Sequence, residues 1–214
     1  MSDNDLSQTG VVAARKRRSD GERSRSAILR EAAQLATLEG IEGLSINRLA
    51  KRVGMSKSGL FAHFGSKQEL QLATIEAAGV VFSEQVIEPA MAAPSGLERL
   101  QRLAENYLRH VESAYPGGCF FASLLSEIDT HAGAVRNRAV EFMDGWIELL
   151  ETTIWDAQTE QAIDPHEDPA QLAFEVEAFL ILANTEFVVR RTQIPLDRAR
   201  RAIDRRLQSA SVAA

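Results

Sequence analysis

Residues 45–69 read Ser45-Ile-Asn-Arg-Leu-Ala-Lys-Arg-Val-Gly-Met-Ser-Lys-Ser-Gly-Leu-Phe-Ala-His-Phe-Gly-Ser-Lys-Gln-Glu69, and the fold is decided there. Ser45, Ser56 and Ser66 each stand just before a run of helix formers, where a serine hydroxyl accepts a backbone N–H left unpaired by the first turn. After Ser45, the residues Ile46, Leu49, Ala50 and Val53 form a buried stripe, and Gly54 ends it. After Ser56, Leu60 and Phe64 stand four apart, and Gly65 ends the segment. Ser66-Lys67-Gln68-Glu69 is a capping box opening a longer helix. Two short helices joined by a tight turn over residues 45–64 have the form of a helix-turn-helix, whose second helix must be short and polar outward to enter a major groove. Gly59 in mid-helix costs roughly 1 kcal/mol against alanine, which close approach of another surface would explain.

Working outward, Ile28, Ala32, Leu35 and Ala36 share one face of a first helix that starts between Asp20 and Ser26 and stops at Gly40. Residues 1–22 read as a flexible basic tail carrying Arg15-Lys16-Arg17-Arg18. On the carboxyl side, a fourth helix runs from Lys67 to near Ala92, bent or ended around Pro89. Leu97, Leu100, Ala104, Leu108 and Val111 give a fifth, broken by Pro116-Gly117-Gly118. Cys119 to Ile128 makes a sixth, and Gly133 to Gln158 a seventh. Asp168-Pro169 is an N-cap and first-turn pair opening an eighth that extends to about Arg191. A ninth ends near Ser209. The expectation is an all-α chain of about nine helices, divided into the tail, a three-helix domain over 23–70 and a helical domain over 71–214.

Composition agrees. Of 214 residues, 45% are apolar and 25% charged, which suits a globular chain. A single cysteine excludes an internal disulfide framework and suits a reducing cytoplasm. The net charge of −6 would argue against nucleic acid if it were uniform, but residues 1–70 carry 12 Lys/Arg against 8 Asp/Glu, whereas residues 71–214 carry 12 against 22. A basic amino-terminal third on an acidic body suggests a DNA-facing module.

Residues 24–75, and above all Ser56 to Lys67, resemble the DNA-binding domain of the tetracycline-repressor (TetR) family. Pro116-Gly117-Gly118-Cys119-Phe120 resembles the start of the sixth helix in a subgroup of that family. The resemblance implies that Ser45 caps the second helix and touches a phosphate, and that Met55, Ser56, Lys57, Ser58 and Gly59 approach bases. It implies that His63 and Lys67 contact phosphates. Phe61 stands where the family usually has tyrosine, so a phosphate bond from that hydroxyl is absent here while ring packing survives. The resemblance also places Phe82, Leu103, Tyr107, His110, Phe120, Phe121, Phe142, Met143, Trp146 and Phe174 on helices around a ligand cavity, although a packed core explains each one singly. The eighth helix is apolar on nearly all faces and so must be buried all round. Its Leu172, Val176, Phe179, Leu180, Ala183 and Phe187, with Leu196, Ala199 and Ile203 of the ninth, are expected to form a four-helix bundle with a second copy, as in the family.

The function expected is a homodimeric repressor, released from a palindromic operator by a small hydrophobic effector. The alternative on the same fold is an activator or a DNA-binding protein blind to small molecules. A remote alternative is an enzyme with chemistry around His110, Cys119 and Asp129. No Gly-rich phosphate loop or Gly-x-Ser-x-Gly elbow supports it, and the chain is expected to be no enzyme. Glu127, Asp129 and His131 alternate without the spacing of a metal motif, so no metal and no cofactor is expected. Cys119, between a Gly-Gly turn and Phe120-Phe121, reads better as a buried small residue than as a reactive thiol.

Overall fold

Three serines and one aspartate open helices where the sequence placed them. Ser45 accepts from Arg48 N (3.3 Å), Ser56 from Gly59 N (3.1 Å), Ser66 from Glu69 N (3.1 Å) and Asp168 from Ala170 N (3.0 Å). The structure, a computed structural model, describes residues 4–127 and 133–212, with side chains from residue 21. Nine helices follow one another among the described residues: α1 (Asn4–Glu39), α2 (Ile46–Arg52), α3 (Lys57–Phe64), α4 (Lys67–Phe82), α5 (Gly96–Ser113), α6 (Phe120–Leu125), α7 (Ala134–Thr159), α8 (Pro169–Arg190) and α9 (Ile194–Ala210). The backbone of α1 is helical from Asn4, earlier than the start read from the Ile28–Ala36 stripe; the stripe marks where the helix packs. The basic run at 15–18 falls where side chains are not described.

Pro89 leaves its mark on α4. The helix widens into a π-helical turn (Ser83–Ile87) and then continues as Glu88–Met91. Proline has no N–H for the carbonyl four residues back and its ring clashes there. Glu88 N accordingly donates to Ser83 O, five residues back, and Asn106 Nδ2 donates to Val86 O (3.1 Å).

Two cores form, and α4 runs through both. The first joins Ile28, Ala32 and Leu35 of α1 to Leu49, Leu60 and Phe64, and to Leu70, Ile75 and Ala78 of α4. The second joins Phe82 and Val86 to the inner faces of α5, α7, α8 and α9. Tyr115, Phe120 and Leu124 belong to the first core although they lie far along the chain. The short α6 is therefore a wedge between the two.

The faces of α8 divide differently from the sequence reading. Leu172, Val176, Leu180, Ala183, Leu196, Ala199 and Ile203 are buried in their own chain's core, and Phe179 and Phe187 are partly buried against it. They pack against α5, α7 and each other's helix, and Phe179, Ala183 and Ala199 also line a surface groove between α8 and α9. The open apolar face of α8 carries Phe174, Leu182 and Val189, exposed at 65%, 60% and 77%, with Ile194 beside them at the start of α9. No helix among the described residues is long and apolar enough to cross a membrane.

Candidate nucleic-acid surface and ligand cavity

Leu60 and Phe64 anchor α3 to the first core, which turns Lys57, Ser58, Phe61 and Ala62 outward as one patch. Ser56 and Ser58 hydroxyls lie 3.2 Å apart at its amino end. Met55, Gly59 and His63 are partly covered, and Phe61 is exposed at 49%. The other cations near this surface are mostly engaged: Arg48 with Glu39 (2.6 Å), Arg52 with Glu31 (2.7 Å), and Lys67, whose ammonium donates to the Glu42 carbonyl (2.7 Å) and carboxylate (3.1 Å). Lys57 and Lys51 make no ion pair among the described residues. Lys51, on α2, is a cation the sequence reading passed over, because nothing in its local pattern separates it from any surface lysine.

A cavity of about 370 Å³ opens among α4, α5, α6, α7 and α8. Of the residues expected to line such a space, Phe82, Tyr107, Phe121, Phe142, Met143 and Trp146 do so. Leu103 and His110 lie in the core behind it, Phe120 turns the other way into the first core, and Phe174 stands on the open face of α8. Phe120 and Phe121 are neighbours on a helix, about 100° apart, so one ring serves each side of the wedge. Phe121 packs on Phe142 (5.0 Å between centroids), and the Trp146 ring stacks on Tyr107 (6.1 Å) and meets Phe82 edge-on (5.2 Å). The edge of the Phe142 ring packs against α4 at Gly79; a β-carbon there would stand 2.3 Å from the ring.

Polar groups at the cavity are few. Trp146 Nε1 donates to Glu177 Oε2 (2.8 Å), a lining carboxyl that the sequence reading did not name. Burial raises the Glu177 carboxyl above its usual range, and the Trp146 hydrogen bond opposes this. The Tyr107 hydroxyl is buried with no nitrogen or oxygen partner among the described residues. Cys119 is 1% exposed and burial pushes its thiol up to about 11, which describes an inert packed thiol. Burial likewise pushes His110 down to about 4, so its ring is neutral, with Nδ1 2.8 Å from Gln85 Oε1 in the π turn. At the rim, Arg138 lies over the Phe142 ring (4.4 Å) and donates to Glu76 of α4 and Glu141. Asp129 and His131 lie outside the described residues. The Glu127 carboxylate accepts from Ile41 N (2.8 Å).

Residues 28–74 match the family model of bacterial regulatory proteins of the tetR family, and residues 96–203 match the tetracyclin repressor-like C-terminal domain. No curated protein matches the chain. Among solved structures, a TetR transcriptional regulator from Chloroflexus aurantiacus superposes with a TM-score of 0.84 at 22% identity, over 92% of this chain and 100% of that one. Escherichia coli NemR in its reduced form gives 0.74 at 18% identity, over 90% and 98%. AibR in complex with isovaleryl coenzyme A and operator DNA gives 0.64 at 24% identity, over 76% and 86%. At these identities the likeness is one of fold.

Proposed function

The chain belongs to the TetR family of bacterial regulatory proteins, and from that premise we propose that it is a homodimeric repressor, released from a palindromic operator by a small hydrophobic effector. One observation carries this reading. The rod beginning with α4 packs at Leu70, Ile75 and Ala78 against the helix-turn-helix core, and at Gly79, Phe82, Ser83 and Ile87 it lines the cavity. A molecule that displaces Phe82 or Phe142 therefore acts directly on the helix that carries α3. An effector shifts DNA binding only through unequal affinity for two states, and moving the equilibrium from 1:99 to 99:1 needs a ~10⁴-fold preference. AibR, a neighbour in fold, forms a complex with isovaleryl coenzyme A and operator DNA, which supports a small molecule and an operator as partners of this fold. A regulator, rather than an enzyme, accounts for a cavity with an inert thiol in its wall and a neutral histidine buried behind it.

Selection from a random duplex library tests the DNA side. Bound sequences should contain an inverted repeat whose half-sites lie ~34–36 Å apart, or a multiple of one turn; enrichment of no repeat would sink the reading. A reporter driven by the selected sequence separates repression from activation. Within the interface, Lys57→Ala should weaken operator binding by ~1–3 kcal/mol and leave nonspecific binding almost unchanged. Lys67→Ala should weaken both alike and lower the salt slope by about one, since its ammonium must leave Glu42 to reach a phosphate. Titrations at several salt concentrations decide between them, and equal losses on both DNAs for Lys57→Ala would remove it from the base-reading set.

The coupling through α4 has its own test. Gly79→Ala should drive the Phe142 ring off α4 and destabilise the fold by about 1–3 kcal/mol. Because the collision is with a side chain, Phe142→Leu in the same chain should restore most of the loss. Thermal melting of the single and double variants measures this; an unchanged melting temperature for Gly79→Ala would mean that the ring is not pinned there.

A further inference from the structure

The inner end of the cavity is built around an acid with no cation beside it. Glu177 receives the Trp146 N–H and makes no ion pair among the described residues. Glu177, Tyr107 and Cys119 all line this one cavity. The Tyr107 oxygen is buried against the Cys119 thiol, a weak partner, with no nitrogen or oxygen partner among the described residues. Phe82, Tyr107 and Trp146 pack around this end, with Phe82 edge-on to the other two at 6.1 and 5.2 Å. Arg138, the cation among the lining residues, is held between two carboxylates, Glu76 and Glu141.

Three ligand classes would meet this end differently. An anion would face Glu177 with no free cation to offset it. A neutral apolar molecule would exclude water from the carboxylate while leaving the Tyr107 hydroxyl only the weak Cys119 thiol, and desolvating such groups costs free energy. An ammonium group would donate to the carboxylate and to the Tyr107 oxygen and would present its charge to the ring faces. We propose that the cavity takes a hydrophobic organic cation, a protonated amine with an aromatic or branched apolar body, its nitrogen seated among Glu177, Tyr107 and Trp146. This deepens the effector reading above and rests on it. The rest of the wall (Ile87, Leu125, Met143 and Ile181) takes the apolar body, and about 370 Å³ sits at the small end of ligand cavities, ~300–1,000 Å³.

Dibenzylamine, dibenzyl ether and dibenzylacetate share an apolar body and differ in the charge at its centre. Calorimetric titration of each into the full-length protein at neutral pH should rank the amine first, by about tenfold over the ether, with dibenzylacetate last. Glu177→Gln can still accept from Trp146, and it should abolish the amine's advantage while leaving the ether's affinity within about twofold. Equal or tighter binding of the ether or the anion overturns the proposal. So does an advantage for the amine that survives Glu177→Gln, or failure of the amine to bind at ~1 mM. If the variant does not fold, the ranking of the three probes on the unmodified protein still decides. The two readings fail separately: an ether or anion that binds best and releases operator keeps the effector cavity and removes the cation. An amine that binds through Glu177 without changing operator affinity keeps the cation site and removes the effector role.

Discussion

Leu182→Asp should yield a folded monomer, and Val176→Asp, on the same helix, should yield no folded protein. Val176 is fully buried in its own chain's core, whereas Leu182 is 60% exposed. Along α8 the exposed residues Phe174, Ala178, Leu182, Thr185 and Val189 recur at intervals of four, four, three and four, a straight stripe on one side of a helix. A groove beside it, between Phe179, Leu182 and Glu186 of α8 and Pro195 and Arg198 of α9, would receive side chains of a second copy. In a two-fold dimer each substitution appears twice near the axis. Two aspartates there put unpaired charge into an apolar contact at a cost of several kcal/mol, against a fold that is stable by only ~5–15. Light scattering should therefore show half the mass for Leu182→Asp, with native helical circular dichroism and a large loss of operator affinity, because two independent half-site binders replace one. For Val176→Asp the circular dichroism itself should collapse. A folded, operator-competent dimer of Leu182→Asp would overturn the placement of the interface.

That contrast also marks how far the sequence could be read. Caps were legible because their physics closes within four residues: Ser45, Ser56, Ser66 and Asp168 each bond an amide in the first turn that follows. The helix-turn-helix was legible for the same reason, its anchors Leu60 and Phe64 being set by spacing alone. The eighth helix is apolar on nearly all faces, but one side is buried in its own chain while Phe174, Leu182 and Val189 stand open on another. Periodicity does not say which is which, and so does not separate the buried Leu172, Val176 and Leu180 from the exposed Phe174. Phe120 and Phe121 illustrate the limit at a single bond: neighbours of one residue type serve two different cores, decided by what α6 wedges between. Glu177 was passed over because a lone acid on an apolar helix carries no motif. Its role arises from Trp146 and Tyr107, which reach it from two other helices.

Gly117→Ala should lower the melting temperature by roughly 6–10 °C and weaken operator binding even though it touches neither the cavity nor α3. A β-carbon at this position would lie 2.1 Å from the Thr37 carbonyl oxygen and 2.7 Å from its carbon, near the end of α1. These are backbone atoms, so no rotamer change clears them, and overpacking of this kind costs ~1–3 kcal/mol, toward the upper end when backbone must move. The turn has no room to retreat on its far side. Gly118 takes φ +83 and faces Asn184 of α8, whose Oδ1 accepts from Cys119 N (2.8 Å), while Arg191 Nη1 donates to the Pro116 carbonyl (2.6 Å). The turn is thus fastened to α8 and pressed against α1, so any relief moves α1, and with it α2 and α3, relative to the rest of the chain. Gly117 N donates to Thr37 Oγ1 (3.3 Å), yet that hydroxyl is not the obstacle: Thr37→Ala added to Gly117→Ala should recover little, unlike the rescue of Gly79→Ala by Phe142→Leu. Melting and operator titration of the three variants, Gly117→Ala, Thr37→Ala and the double, measure both effects. Recovery of stability and affinity in the double variant would show the clash to be with the side chain, and a Gly117→Ala protein with unchanged melting and operator affinity would show that the two cores are not held together by this turn.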